Sequence, residues 1–344
     1  MPLTKPVGGT DFPRNLVEMM EWFSDEDACL DFLVWLRWPD GIMCRRCDAQ
    51  TGWYTSRGDW LCSVCNTRTS ITAGTVFEKS RVPLPLWFLL AWHMTSEKTA
   101  GISAKGAQRL LELGSYQTAW SMLHKLRSAM VRPGRDQLHN DVEVDETYVG
   151  GNKPGKRGRG AAGKAIVVIA VEVSIPKGFG RARLEVIPDT SRTSLHPFIR
   201  NNIEPGAVVL TDGWRAYQGI ERWGYTHKPE VILGSGTPAH VSMPAVHRVA
   251  SLFKRSLLNS YQSYPQLHLQ SYCDEWTFRF NRRKSEHRGQ LFLRLLENAV
   301  ACDPMPYEKM KLSTKPRTVM PTPSGQRGTV RSIAVTTARR PWRR

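Results

Sequence analysis

The sequence predicts an α/β protein in which helical segments precede and follow a strand-rich stretch of the chain. Runs rich in valine and isoleucine alternate with turns between residues 141 and 212, which is typical of strands. Apolar residues recur at helical spacing in residues 1–40, 83–130 and 244–300. A chain of 344 residues is long enough for two or three domains.

The composition is strongly basic. The chain has 48 Lys and Arg against 31 Asp and Glu, a formal net charge of +17. Such a field attracts polyanions, of which nucleic acid is the commonest. The most apolar run, VPLPLWFLLAWHM, is shorter than the roughly 20 residues that span a bilayer. The N-terminus lacks the apolar core of a signal peptide. We therefore expect a cytoplasmic protein with no membrane partner.

The first predicted unit is an N-terminal helical segment, residues 1–40. Apolar residues follow helical spacing in NLVEMMEWF and in DEDACLDFLVWLRW. Ser24 with Asp25 can cap the second of these helices, because their side-chain oxygens can accept from free backbone N–H groups.

The second predicted unit, residues 41–75, is a zinc ribbon. CRRC and CSVC are separated by 14 residues, and GWYTSRGDWLC between them predicts a β-hairpin. Two such knuckles can place four thiolates tetrahedrally around one zinc ion. Because protein fills all four positions, the predicted Zn²⁺ is structural. Its ligands are Cys44, Cys47, Cys62 and Cys65. Either DNA contact or ordinary solvation explains the arginines nearby, Arg45, Arg46, Arg57 and Arg68.

The third predicted unit, residues 83–132, contains a helix-turn-helix. Leu113-Gly114 is typical of a turn, and Ser115 can cap a second helix that carries Gln117 and Lys125. In the DNA-binding arrangement the second helix enters the major groove. Helical hairpins are common, so the pattern alone is compatible with a purely structural role.

Two aspartates mark the core of the fourth predicted unit, residues 140–302. Asp145 lies in the strand VEVDETYVGG, and Asp212 follows the strand-like run AVVLT. Sheets in α/β proteins place functional groups at the carboxyl ends of buried strands. Two neighbouring carboxylates repel each other unless a cation lies between them, and Mg²⁺ or Mn²⁺ takes oxygen ligands. Two such ions, about 4 Å apart, catalyse in-line displacement at phosphorus.

The order of elements indicates an RNase H-like fold: the strand of Asp145, two further strands, a helix, then the strand of Asp212. Such a site needs a third ligand, and the sequence offers two candidates. His247 lies on a predicted helix with Lys254 two turns further on. Glu275 offers a harder oxygen ligand. A surface histidine and a salt bridge from Glu275 to Arg279 are the ordinary alternatives.

Basic segments surround this core. The loop GNKPGKRGRGAAGK lacks the spacing of a Walker loop, and its charge suits DNA phosphates. Residues 303–344 predict a disordered basic tail. The loop residues expected to bind DNA are Lys153, Lys156, Arg157 and Arg159.

Together these motifs resemble bacterial insertion-sequence transposases of the ISXO type. The resemblance runs from about Phe12 to about Val300, and the tail lies outside it. Members of this family have a zinc ribbon and a DDE-like, RNase H-fold catalytic core. The motifs, in order, are the ribbon after RWPDG, the helix-turn-helix, VEVDETYVGG, TDGWRAY, VHRVASLFKR and FRFNRR.

The resemblance implies a metal-dependent DNA transposase that cuts and joins the ends of its own element. It implies Asp145 as the first acid and Asp212 as the second. The third position varies among Glu, Asn and His, with Lys or Arg seven residues later, which favours His247 followed by Lys254. It also implies that the arginines of FNRR contact the DNA backbone: Arg279, Arg282 and Arg283.

The implied partners are double-stranded DNA, as terminal inverted repeats and as target, and a second copy of the chain. Two DNA ends must be held together, so we expect a homodimer or larger assembly at the nucleoid. Two alternatives stay open. One is a nuclease that cuts without joining. The other is a DNA-binding regulator with an inactive catalytic domain, suggested by His247 in place of an acid.

Overall fold

The chain is described here from a computed structural model that contains two β-sheets and the helices around them. Within the described ranges, no helix is both long and apolar enough to cross a membrane. The structure describes residues 5–55, 58–96, 101–132, 134–150, 164–173, 178–230, 242–261 and 265–311.

The N-terminal region begins with helices α1 (Leu16–Trp22) and α2 (Glu26–Arg37). Asp25 caps α2 as predicted, since its Oδ1 accepts a 2.9 Å hydrogen bond from the backbone N–H of Ala28. Helix α3 (Leu84–Ser96) is apolar on most sides, in keeping with a helix enclosed by others.

A small three-stranded sheet lies between α2 and α3. Strands β1 (Gly52–Tyr54), β2 (Asp59–Cys62) and β3 (Arg68–Ser70) pair antiparallel in chain order. The predicted hairpin between the two CxxC pairs is thus confirmed. Its turn includes Gly58 at φ +76°, while Arg57 lies outside the described residues.

Two helices follow at the positions predicted for a helix-turn-helix, α4 (Ala104–Leu110) and α5 (Tyr116–Ala129). Ser115 stands at the N-cap of α5 but makes no side-chain cap bond. The buried face of α5 packs into the N-terminal core through Ala119, Met122, Leu123 and Leu126.

The second sheet is the framework of the C-terminal half. It comprises β4 (Asp141–Val149), β5 (Ala165–Val173), β6 (Phe179–Ile187), β7 (Val208–Thr211) and β8 (Thr226–Pro229). The spatial order is β6-β5-β4-β7-β8, with β4, β5 and β6 antiparallel and β7 and β8 parallel to β4. Helix α6 (Arg192–Asn202) connects β6 to β7. Strand β4 is therefore central.

Helices cover both faces of this sheet. Helices α7 (Pro244–Ser260) and α8 (Leu269–Asn281) bury one face, and α6 buries the other. Successive side chains of β5 alternate between the two apolar clusters: Val167 and Ile169 face α7 and α8, while Val168 and Ala170 face α6. This two-sided burial explains why β5 is almost uniformly apolar.

The last long helix, α9 (Arg288–Ala301), packs into the N-terminal core and not onto the large sheet. Phe292 lies 5.8 Å from Phe23 and 5.9 Å from Phe88, ring centroid to ring centroid. The sequence-based boundary of 140–302 assigns this helix to the catalytic unit, but its apolar face completes the N-terminal one. A short helix, α10 (Tyr307–Lys311), then packs beside α5.

Candidate metal centres and nucleic-acid interface

The four predicted zinc ligands converge. Among the described residues they are the one group of three or more potential ligands whose donor atoms all lie within 4.8 Å of one another. The Sγ atoms of Cys44 and Cys65 are 3.5 Å apart, and those of Cys47 and Cys62 are 3.6 Å apart. Tetrahedral zinc with bonds of about 2.3 Å separates its sulfur ligands by about 3.8 Å. The cluster therefore fits a structural zinc ion.

The two cysteine knuckles have the same backbone geometry. The N–H of Asp48 donates to the carbonyl of Cys44 at 2.9 Å, and the N–H of Asn66 donates to the carbonyl of Cys62 at 3.0 Å. Asp48 and Asn66, each the fifth residue of its knuckle, adopt a left-handed backbone conformation with φ of 56° and 57°. Asp and Asn tolerate this conformation better than most residues.

Hydrogen bonds also favour the thiolate form that binds metal. The backbone N–H of Arg46, 3.5 Å from Cys44 Sγ, lowers the pKa of Cys44. Hydrogen bonding to the Thr67 side chain lowers the pKa of Cys65 to about 6. Because only the thiolate is the metal ligand, these contacts favour metal binding at Cys44 and Cys65, whereas hydrogen bonding to the Cys65 thiol raises the pKa of Cys47 to about 12.

The second candidate centre lies where the middle of β4 passes the carboxyl end of β7. Strands β4 and β7 are parallel, with Glu143 opposite Leu210. Continuing this register by two residues brings Asp145 beside Asp212, on the same face of the sheet. Burial, followed by the charges of Glu146, Asp145 and Asp212, holds the pKa of Tyr217 well above its usual range. The two aspartates thus lie within electrostatic reach of one phenol.

Helix α7 brings His247 to this place. Its Nδ1 lies 3.9 Å from Asp145 Oδ2, and both side chains keep some exposure to solvent. Two ligand atoms of one ion, each bonded at about 2.1 Å, can be up to roughly 4 Å apart. Asp145 and His247 therefore form a pair that fits shared metal coordination, and Asp212 offers a further oxygen.

Lys254 lies further along α7 and is half-buried. Burial lowers the pKa of this ammonium group, and the charge of Lys164 lowers it further, whereas the charge of Asp145 raises it. A partly desolvated cation close to the carboxylate is well placed to hold a phosphate oxygen.

Glu143 lies two residues before Asp145 on β4 and so leaves the same face of the sheet. The carboxylate is buried, and its Oε2 accepts a 2.8 Å hydrogen bond from the backbone N–H of Val246. Met243 is at the N-cap of α7 and makes no side-chain cap bond. A cap from a distant strand leaves no local sequence signal.

Glu146 points to the opposite face of β4. Its Oε1 accepts a 2.8 Å hydrogen bond from the hydroxyl of Tyr217, which is fully buried. This bond connects the residue after Asp145 to the turn that follows Asp212.

Glu275, the alternative third ligand, has a different environment. It is 1% exposed and lies on α8 against α5. Its Oε2 accepts from Arg127 Nε at 2.7 Å and from the Tyr261 hydroxyl at 3.0 Å, and Oε1 lies 3.4 Å from Arg279. These cations lower the pKa of the carboxyl despite its burial. Glu275 is thus a structural carboxylate between two helices, and its surroundings do not support a metal-binding role.

Of the arginines in RFNRR, Arg279 requires a correction, whereas Arg282 and Arg283 are partly exposed and their DNA contacts stay predictions. Arg279 is 3% exposed and is committed to Glu275, so its guanidinium cannot reach a DNA phosphate. Arg282 donates to the carbonyl of Phe278 and lies over its ring at 3.9 Å. Arg283 donates to the carbonyl of Gly180 at 3.0 Å. In addition to carrying charge, Arg282 and Arg283 thus hold the local backbone through these carbonyls.

The other predicted DNA contacts divide into two sets. Gln117 is exposed on α5, and Lys125, half-buried on the same helix, donates to the carbonyl of Glu78 at 3.3 Å. The four predicted loop residues lie outside the described part of the chain: Lys153, Lys156, Arg157 and Arg159.

Comparison with known proteins agrees with this architecture. Residues 24–68 match the transposase zinc-ribbon domain, and residues 137–281 match the ISXO2-like transposase domain. The chain is 26% identical over 254 residues to an uncharacterized protein in transposable element ISH50 of Halobacterium salinarum. That alignment covers 68% of this chain and 84% of the halobacterial protein.

Fold, cysteine cluster and matches together define a zinc-ribbon protein with a transposase domain, which implies an RNase H-like core. The chain carries both domains of the insertion-sequence transposases of the ISXO type, which confirms the resemblance seen in its sequence.

Proposed function

We propose that this chain binds the ends of an insertion sequence and catalyses metal-dependent DNA cleavage followed by strand transfer. The observation that carries the proposal is the approach of Asp145 and His247, with Asp212 following the strand that pairs with β4. Asp145 lies 3.9 Å from His247 and in register with the end of β7, where Asp212 follows.

Asp145, Asp212 and His247 would hold Mg²⁺ or Mn²⁺. When bound, two such ions polarise the phosphodiester and stabilise both the attacking and the leaving oxygen. The chain's own groups position the substrate around them. Lys254 offers a partly buried ammonium to a non-bridging phosphate oxygen, which fixes the phosphate relative to Asp145. Cleavage frees a 3′-hydroxyl, and its attack on target DNA exchanges one phosphodiester for another, so no external energy source is needed.

The N-terminal half would hold the DNA. The α4–α5 pair has the order of a helix-turn-helix, and Gln117 is exposed on its second helix. Arg45, Arg46 and Arg68 are exposed around the zinc knuckles and can contact phosphates. We further propose a dimer or larger assembly, because strand transfer requires two element ends in one complex.

The central experiment replaces the aspartates. With a supercoiled plasmid carrying the repeats that flank the gene, Asp145→Asn and Asp212→Asn should each lower cleavage by about 10³-fold or more. Binding to end DNA, measured by gel shift, should stay within about threefold, because neither residue is in the DNA-holding half. Asp136→Asn, at an exposed carboxylate, is the matched control and should cleave normally. Undiminished cleavage by both site variants would refute the proposal.

The third ligand needs its own comparison. His247→Ala should abolish cleavage with either Mg²⁺ or Mn²⁺, whereas Glu275→Gln should retain activity at temperatures where it is folded. The reverse pattern would exclude His247.

The reaction products separate the remaining alternatives. Joined products establish transposition, whereas cleaved ends without joined products indicate a nuclease. DNA binding by the wild-type chain without cleavage in either metal would favour an inactive regulator, the alternative that a histidine at the third position suggests.

A further inference from the structure

Glu143 is a buried carboxylate that the reaction outlined above does not use. It is 3% exposed, and in the described part of the chain no Lys, Arg or His forms an ion pair with it. Its contacts are instead the backbone N–H groups of Val246 and Ala245, at the beginning of α7. Burying a carboxylate costs free energy unless hydrogen bonds compensate for the lost water, and these amides provide that compensation.

The local chemistry of α7 explains the contact. The first N–H groups of any helix lack partners within the helix, and its N-terminus carries a partial positive charge. Met243 at the N-cap has no side-chain oxygen that could accept from them. The carboxylate of Glu143 supplies the missing acceptor from strand β4, 103 residues earlier in the chain.

The position of this cap matters for the site. Glu143 precedes Asp145 by two residues, so both side chains leave the same face of β4. Val246, which donates to Glu143, directly precedes His247. The strand and the helix are thus joined one residue from His247 and two residues from Asp145, whose side chains lie 3.9 Å apart.

We propose that Glu143 is a positioning residue: its hydrogen bonds to the N-terminus of α7 set the separation of Asp145 and His247 for metal binding. The inference rests on the proposed function, because it assigns Glu143 a part in that same centre. A carboxylate suits this work better than an apolar side chain, since hydrogen bonds fix distance and direction whereas apolar packing allows sliding.

The test compares variants that keep or lose the acceptor. Glu143→Gln retains an amide oxygen for the helix, whereas Glu143→Leu has similar volume and no acceptor. In zinc-loaded full-length protein, Mn²⁺ affinity is measured by electron paramagnetic resonance, and kcat and KM are measured on end DNA. Glu143→Leu should weaken Mn²⁺ binding and lower kcat by about tenfold or more, as loss of an outer contact to a metal site does. KM for DNA should stay unchanged, and Glu143→Gln should remain within about threefold of wild type.

Glu172 is the matched control. It is a buried glutamate on β5 and accepts from Arg181. It pairs with Val142, so it leaves the opposite face of the sheet. Glu172→Leu should lower the melting temperature and leave Mn²⁺ affinity and kcat unchanged.

A second variant covers the case in which Glu143→Leu does not fold. Glu143→Asp keeps the charge but is one methylene too short to reach Val246, so it should reproduce the loss of Mn²⁺ affinity. Wild-type Mn²⁺ affinity in folded Leu or Asp variants overturns the inference. If Asp145→Asn abolishes cleavage in the same experiments, the proposed function stands even though the positioning role of Glu143 is refuted. If Asp145→Asn still cleaves, the proposed function itself fails.

Discussion

The cysteine cluster and the proposed catalytic centre of this chain are built in opposite ways. The zinc ligands all lie between residues 44 and 65, on two knuckles of one small sheet. The groups of the proposed catalytic centre come from β4, the end of β7 and α7, and span Asp145 to His247. The first centre has every donor close in sequence, whereas the second exists only once a five-stranded sheet has formed.

This difference indicates what holds each centre together. The ribbon strands have three or four residues each, and β1 is exposed along its whole length. The sheet adds Trp60 and Cys62 to the N-terminal core but has little core of its own, so we expect the metal to supply much of its folding free energy. The catalytic centre is instead flanked by two apolar clusters and by the contacts of Glu143 and Glu146. We therefore expect it to be preformed without its ions.

Removal of zinc should have the largest effect. Binding to structural zinc sites contributes on the order of 10 kcal/mol, so Cys62→Ser should unfold the ribbon locally. Hydrogen exchange followed by mass spectrometry should show lost protection in peptides of residues 41–75. Protection in β5 should persist, because that strand belongs to a separate core. Removal of Mg²⁺ should leave both regions protected.

Cys302→Ser provides the control for this experiment, since the same substitution outside the cluster should leave the ribbon protected. A Cys62→Ser ribbon that stays protected would show that it folds without its metal, and the contrast between the two centres would disappear.

The same contrast explains what sequence reasoning achieved. The CxxC spacing, the Asp25 cap and the strand around Asp145 are local patterns, and each is confirmed as an element of the structure. The predicted succession of three strands, a helix and the strand before Asp212 is confirmed as well.

Tertiary choices were not accessible in this way. Arg279 and Glu275 have the composition of a DNA contact and a metal ligand, but they pair in the interface with α5. The apolar periodicity of α9 does not specify which neighbour it packs against. Its position is set by contacts of Phe292 with Phe23 and Phe88, which are distant in the sequence. Glu143 caps a helix 103 residues away, beyond any local pattern.

The contact between the two regions should make stability depend on pH. His124 on α5 is buried against His268, and its Nε2 has no hydrogen-bond partner among the described residues. Burial, with the charges of Arg127 and His268, lowers the pKa of His124 to about 2. The unfolded imidazole, with a pKa of about 6.5, takes up its proton first as pH falls. The stabilisation is therefore complete above about pH 6.5 and is lost progressively on acidification.

Between pH 7 and pH 5 this single group should cost about 2 kcal/mol of unfolding free energy. Urea unfolding at both pH values measures it, and His124→Phe should remove about that much of the difference. His287→Phe, at an exposed histidine, is the control and should leave the difference unchanged. An equal pH dependence in wild type and His124→Phe would exclude His124 as its source.

The smallest expected effect separates the two faces of strand β4. Tyr217→Phe removes the 2.8 Å hydrogen bond to Glu146, and Glu146 retains access to water. The loss should therefore be about 1 kcal/mol in urea unfolding. Tyr225→Phe, which removes a 2.9 Å bond to the carbonyl of Ile203 in the same apolar cluster, is the matched control and should cost a similar amount.

Mn²⁺ affinity is the decisive measurement for these variants. Glu146 leaves β4 on the face opposite Asp145, so Tyr217→Phe should bind Mn²⁺ like wild type despite its lower stability. Glu143→Leu, two residues before Asp145 on the same face, should not. If Tyr217→Phe weakened Mn²⁺ binding as much as Glu143→Leu, the centre would depend on the general rigidity of the sheet. The contact between Glu143 and α7 would then not be enough to explain how the fold positions the proposed metal ligands.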